Sequence, residues 1–249
     1  MAQAATADAA PITPTPEPAP AIEAGKATAA LRRIMVERQL RPFDVTDLPV
    51  LQRFLDVPRE VFLPPELKPI AYSDLAIPGR GAAGAASRGI PAPLVLARFL
   101  QGADIRPEHK VLDIAGGAGY SAALLSGLAG QVVALESEPD LAALARENLA
   151  KIGATGVRVE CGPLEKGVPD AAPFDVILIH GAVEGGLDAL FQQLGPNGRL
   201  LAFQKLDQDG GLKVLRFERS EGKAAGERAL FDATAPLLAA FAKAAGFAF

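Results

Sequence analysis

Four features in the middle of the chain have the residue types and spacing to hold a small charged ligand: Asp113, the run Ala115-Gly116-Gly117-Ala118-Gly119, Glu136 and His180. Glycine lets a backbone approach a ligand closely and take conformations closed to other residues. Glu136 lies near the distance past such a turn at which an acid receives both hydroxyls of a ribose, a geometry that a two-oxygen carboxylate supports. Gly117-Ala118-Gly119-Tyr120-Ser121-Ala122 also satisfies the relaxed GxGxxA fingerprint of dinucleotide sites. Asp113 argues against that ligand, because an acid directly before the turn faces a diphosphate with like charge. Taken singly, Asp113 reads equally as a helix cap and Glu136 as a solvated strand end. Their joint spacing around a glycine turn points to a nucleoside site. His180 falls at the end of an apolar run, where a general base serves a neutral oxygen or nitrogen nucleophile better than a carboxylate; its plainer reading is a hydrogen-bonded structural histidine.

These groups need elements to position them, and the hydrophobic pattern supplies a strand–helix alternation. Val111 to Ile114 reads as a strand, Tyr120 to Leu128 as a helix, Gln131 to Leu135 as a strand and Pro139 to Leu149 as a helix. Val157 to Cys161 and Phe174 to Ile179 read as strands, Leu187 to Leu194 as a crossover helix, Gly195 to Gly198 as a turn and Arg199 to Phe203 as a fifth strand. The expected fold class is therefore α/β: a doubly wound, mostly parallel Rossmann-like sheet with helices on both faces. Ligands of such sheets sit beyond the carboxyl ends of the strands.

Ahead of the sheet, a helix is expected from Ala29, with Leu31, Ile34, Met35 and Leu40 inward and Arg32, Arg33, Glu37 and Arg38 solvated. A second starts at Thr46 or Asp47, admits Pro49 in its first turn and buries Val50, Leu51, Phe54 and Leu55. Prolines between Pro58 and Pro78 exclude a long helix, Gly79 to Gly89 is a small-residue loop, and a further helix begins at Pro93. Pro14, Pro16, Pro18 and Pro20 alternate with other residues in an alanine-rich stretch, so residues 1–28 read as a disordered tail and 29–249 as one domain. Within it, 29–100 carries the N-terminal helices and substrate loop, and 101–249 the cofactor-binding sheet.

At 49% hydrophobic and 22% charged residues, 249 residues suffice for one core. The net charge of -4 gives no field for nucleic acid. No secretory signal or membrane-length apolar run is legible, which places the chain in the cytoplasm. The single cysteine, Cys161, cannot form an intramolecular disulfide and reads as a small core residue; His109 reads as surface, and no metal site is assigned.

Asp113-x-Ala115-x-Gly117-x-Gly119 resembles the first motif of class I methyltransferases, with Ala115 in place of the first glycine. The cofactor, S-adenosylmethionine, has no phosphate and carries an ammonium and a sulfonium, so Asp113 suits its amino-acid end. Met35-Val36-Glu37-Arg38-Gln39-Leu40, Val57-Pro58-Arg59-Glu60-Val61-Phe62-Leu63-Pro64 and Ala71-Tyr72-Ser73-Asp74 resemble, in order and spacing, the N-terminal signatures of the protein-L-isoaspartate O-methyltransferase family. The resemblance covers about residues 30 to 205. It implies methyl transfer to the side-chain carboxylate of isoaspartyl residues in damaged proteins, the first step of their repair, by what is expected to be a monomer with no membrane partner. It places the cofactor on Asp113, Ala115, Gly116, Gly117, Gly119, Glu136 and Ser137, with Pro163 and Leu164 near the adenine. The chain departs from the family at Gly89-Ile90-Pro91-Ala92-Pro93, where the pattern is Thr-Ile-Ser-x-Pro and the serine is a substrate-site residue. Pro91 stands at that serine, and Ser87 is a possible substitute. Gly162-Pro163-Leu164 likewise replaces a Gly-Asp-Gly, with Glu165 beside it as a possible substitute carboxylate. A second reading is therefore a member that keeps the fold and cofactor but acts as a binding or regulatory protein or takes another substrate. A nicotinamide-linked oxidoreductase is the third.

Overall fold

The computed structural model describes residues 21–79, 88–205, 211–220 and 223–243. Seven strands form one sheet in the order β3-β2-β1-β4-β5-β6-β7. They are β1 (Lys110–Ile114), β2 (Gln131–Glu136), β3 (Val157–Cys161), β4 (Phe174–Val183), β5 (Leu194–Lys205), β6 (Leu212–Ser220) and β7 (Lys223–Asp232). The first five are mutually parallel; at one edge β6 runs antiparallel to β5, and β7 antiparallel to β6. The helices are α1 (Ala21–Met35), α2 (Leu48–Asp56), α3 (Pro93–Gly102), α4 (Tyr120–Leu125), α5 (Pro139–Lys151) and α6 (Asp188–Gln192).

Side chains alternate across a strand, so each central strand feeds two cores. Val111, Val132, Ala134, Val176 and Leu178 pack into a core with α2, α3, α4 and α5. Leu112, Val133, Leu135, Ile177 and Ile179 pack into a second core on the other face, closed by Leu190 of α6, Leu238 and Phe241. The doubly wound architecture is thus as expected, with the N-terminal helices covering the same face as α4 and α5.

Several elements differ from the pattern reading. Helix α1 begins at Ala21, inside the segment read as tail, because Ala21 to Ala30 is rich in the strongest helix former. Its expected apolar face is only half used: Met35 and Leu40 are buried, whereas Leu31 and Ile34 are exposed. Arg32, expected in solvent, instead donates to the Leu55 carbonyl at 3.0 Å and to the Tyr72 hydroxyl at 3.1 Å. Helix α2 has the expected cap, with the Asp47 carboxylate accepting from the Val50 N–H at 3.0 Å. Helix α4 stops at Leu125 rather than Leu128, and α6 is a short helix inside the predicted crossover. Strand β4 continues through His180 to Val183, beyond the predicted end at Ile179. The predicted turn at 195–198 lies within β5 as a break in register: Phe174 pairs with Leu194, and Val176 with Arg199. Cys161 is exposed, not core, because β3 is the edge strand of the sheet.

Candidate cofactor and substrate site

Register brings the chemistry together. Asp113 on the central β1 pairs with Ala134 of β2 and with Leu178 of β4. Paired residues of neighbouring strands point the same way, so Glu136 and His180, two residues further along each neighbour, share the face of Asp113 one pleat repeat nearer the carboxyl ends. All three are buried.

Below the glycine turn, Asp113 has both oxygens engaged. Oδ2 accepts from the Ser121 hydroxyl at 2.6 Å, and Oδ1 lies 2.5 Å from His180 Nε2. Asp113 thereby holds the base of the turn through Ser121 and His180. Gly116 is dictated by this pair, since a Cβ there would strike Ser121 Oγ and Asp113 Oδ2. Gly117 has φ +66° and Gly119 φ +96°, both left-handed. Ala115 also has φ 62°, an arrangement that costs a Cβ-bearing residue about 1–2 kcal/mol relative to ordinary backbone. Its N–H is held by the Leu135 carbonyl at 2.9 Å, which ties the turn to the end of β2.

At that end, Glu136 Oε1 accepts from the Gly117 N–H at 2.5 Å, and Oε2 is paired with Arg88, whose other nitrogen donates to Ser137 Oγ at 2.8 Å. Burial pushes the Glu136 carboxyl above its ordinary range, and Arg88 and the Gly117 N–H pull against that rise. Arg88 is the residue that pattern reasoning missed. It was visible only as the end of a loop, and nothing local signals a partner 48 positions away.

Pro91 lines a cavity with Arg88 and His180. Its carbonyl accepts from Arg59 at 2.9 Å, and Arg59 is itself fully buried with its guanidinium 5.2 Å from the Tyr120 ring centroid. Arg88, Pro91, His180, Phe203 and Thr234 line a cavity of about 310 Å³. Ser87 lies outside the described residues. Gly162 is held to the Glu136 carbonyl at 2.9 Å, so the segment after β3 does abut the end of β2. Within it Pro163 is exposed and Leu164 is buried in the second core. His109 is half-buried rather than surface, its Nδ1 accepting from the Arg106 N–H at 3.0 Å.

The residues present fit a nucleoside: a turn with left-handed glycines at 117 and 119, and a carboxylate at the carboxyl end of the adjacent strand. Fold and site together define a class I methyltransferase, for which S-adenosylmethionine is the methyl donor. Residues 33–229 match the family model for protein-L-isoaspartate(D-aspartate) O-methyltransferase. A protein-L-isoaspartate O-methyltransferase of Methanoculleus marisnigri is 40% identical over 172 residues, 69% of this chain and 76% of that protein. A protein-L-isoaspartate O-methyltransferase 2 of Marinobacter nauticus is 38% identical over 192 residues, 77% of this chain and 84% of that protein. A solved protein-L-isoaspartate O-methyltransferase shares the fold with TM-score 0.73 and 24% identity, covering 83% of this chain and 65% of that one. The chain belongs to the protein-L-isoaspartate O-methyltransferase family, whose members are S-adenosylmethionine-dependent protein carboxyl methyltransferases.

Proposed function

We propose that this chain methylates the side-chain carboxylate of isoaspartyl residues in damaged proteins as the opening step of their repair, acting as a cytoplasmic monomer. The observation that carries the reading at residue level is the buried Glu136 carboxylate facing the glycine turn, in a chain that matches the family from 33 to 229. In this reading Glu136 receives the ribose hydroxyls, Gly116, Gly117 and Gly119 let the backbone lie along the nucleoside, and Ser137 and Pro163 border the adenine, the expected Leu164 being instead part of the second core. Asp113 orients the turn through Ser121 and His180. When bound, the cofactor supplies an electrophilic methyl group on a sulfonium.

The protein has little proton chemistry to do. A carboxylate is ionised at neutral pH, so its oxygen is already a nucleophile, and the task is to place it in line and exclude water. Pro91 offers neither a hydroxyl nor an N–H for that task. Arg88, which lines the same cavity, has the charge and fork geometry to orient a carboxylate. The net charge of -4 supports a protein substrate over nucleic acid, and no helix of the described residues is long and apolar enough to cross a membrane. Calorimetric titration with S-adenosylhomocysteine, then methyl transfer to an isoaspartyl peptide and its aspartyl control, tests the proposal: binding and transfer to the first peptide alone are expected.

A further inference from the structure

The carboxylate chemistry leaves one buried pair unused. His180 Nε2 is spent on Asp113 at 2.5 Å, and Asp113 is in turn fixed by Ser121 at 2.6 Å. The ring is held edge-on against Phe99, with centroids 5.3 Å apart. A carboxylate on one ring nitrogen keeps the proton there and leaves the lone pair on the other. That other nitrogen, Nδ1, has no hydrogen bond among the described residues, and His180 lines the cavity of about 310 Å³. Base oriented by a carboxylate, on a cavity, is the arrangement of general-base catalysis, and an isoaspartyl carboxylate has no proton for it to take.

The cavity walls say what would. Ile77, Ile90, Pro91, Phe203 and Leu238 make it largely apolar and of a size to enclose a ring. The one charged side chain on it is Arg88, which disfavours an ammonium-bearing amine and favours oxygen that gains negative charge. Resting on the cofactor reading above, we infer that this chain also methylates a neutral phenolic hydroxyl, with His180 as general base and Asp113 as its positioning residue. The phenolic oxygen attacks the methyl carbon of S-adenosylmethionine and the carbon–sulfur bond breaks with its electron pair going to sulfur. The hydroxyl proton passes to His180 Nδ1 and from there to solvent. The products are an aryl methyl ether, S-adenosylhomocysteine and one proton.

The test uses the full chain with methyl-labelled S-adenosylmethionine, 4-methylphenol and 4-nitrophenol at mildly alkaline pH, where the second is largely ionised. S-adenosylhomocysteine titration of wild type and His180→Gln comes first: retained binding certifies the fold of the variant. Wild type is expected to convert 4-methylphenol to its methyl ether. His180→Gln should lose roughly a hundredfold on 4-methylphenol, the scale of a general base, and only a few-fold on 4-nitrophenol, which needs none. A second readout needs no turnover: 4-nitrophenol bound beside S-adenosylhomocysteine should show its phenolate absorption at lower pH than free 4-nitrophenol, and less so in His180→Gln. Wild type that binds S-adenosylhomocysteine yet transfers nothing to either phenol overturns the inference alone. Equal losses on both phenols with an unmoved absorption band overturn His180 as base. No S-adenosylhomocysteine binding by wild type overturns the cofactor reading and this inference with it.

Discussion

Replacing Arg88 with alanine should tighten nucleoside binding while slowing transfer to a carboxylate. The guanidinium pairs with Glu136 where both side chains are largely withdrawn from water, 10% and 3% exposed. A charge-assisted hydrogen bond of this kind contributes about 1.5–3 kcal/mol. In the proposed cofactor reading, ribose hydroxyls displace it in the wild type, whereas Arg88→Ala presents one carboxylate oxygen already free. A gain of about 1.4 kcal/mol, roughly tenfold in S-adenosylhomocysteine affinity, is expected. The gain is pH-dependent. Burial raises the Glu136 carboxyl and Arg88 opposes that rise, so the variant carboxylate takes up a proton at higher pH than the wild type. A protonated carboxyl cannot accept from two hydroxyls, so the advantage grows as pH rises and fades as pH falls. Stability carries the opposite sign. A raised carboxyl favours the folded state at low pH and loses that contribution as pH rises through its folded value, so Arg88→Ala should be less stable than wild type at neutral pH and approach it on acidification. Calorimetric titration at several pH values, with melting curves alongside, reads both effects. Unchanged or weaker nucleoside binding at neutral pH would mean that Arg88 does not compete for Glu136, and the ribose assignment would lose its main structural support.

Three other perturbations probe separate parts of the site. Glu136→Ala should weaken S-adenosylhomocysteine by roughly tenfold or more with the fold intact, and unchanged affinity would remove Glu136 from the site. Ala115→Gly relieves the left-handed cost of about 1–2 kcal/mol but gives back about 0.4–1 kcal/mol of unfolded-chain entropy, for a net stabilisation of about 0.5–1 kcal/mol in chemical denaturation; a destabilised variant would show that the turn gains more from the methyl than the backbone loses. Pro91→Ser should raise the rate on an isoaspartyl peptide without tightening the cofactor, because Pro91 lines the cavity proposed for the substrate, whose lining does not include Glu136; a change in cofactor affinity alone would place the residue on the wrong side of the site.

The cofactor half of the fold was legible because it is made of short-range signals. β3 and α5 were placed from apolar spacing, and the turn between β1 and α4 from its run of glycines; the left-handed backbone at 117 and 119 came only with the structure. What escaped depends on pairing across the chain. Arg88 meets Glu136 across 48 positions and Asp113 meets His180 across 67, and only sheet register and loop return bring them together. The β6–β7 hairpin went unread because its strands mix Arg, Lys and Glu with few buried residues, as an edge permits. Leu31 and Ile34 misled for a related reason: a periodic apolar stripe records where a helix can pack, and only Met35 and Leu40 of that stripe meet the core.

The proposed function has a nucleoside site on Glu136 and the glycine turn deliver a methyl group to isoaspartyl carboxylates despite Pro91. The direct measurement is transfer of labelled methyl from S-adenosylmethionine to a peptide carrying one isoaspartyl residue, beside the same peptide with aspartate. Labelling of the isoaspartyl peptide, loss of that labelling in Glu136→Ala, and an inert aspartyl control are expected. A protein that binds S-adenosylhomocysteine but labels neither peptide, or labels both alike, would contradict the proposed function.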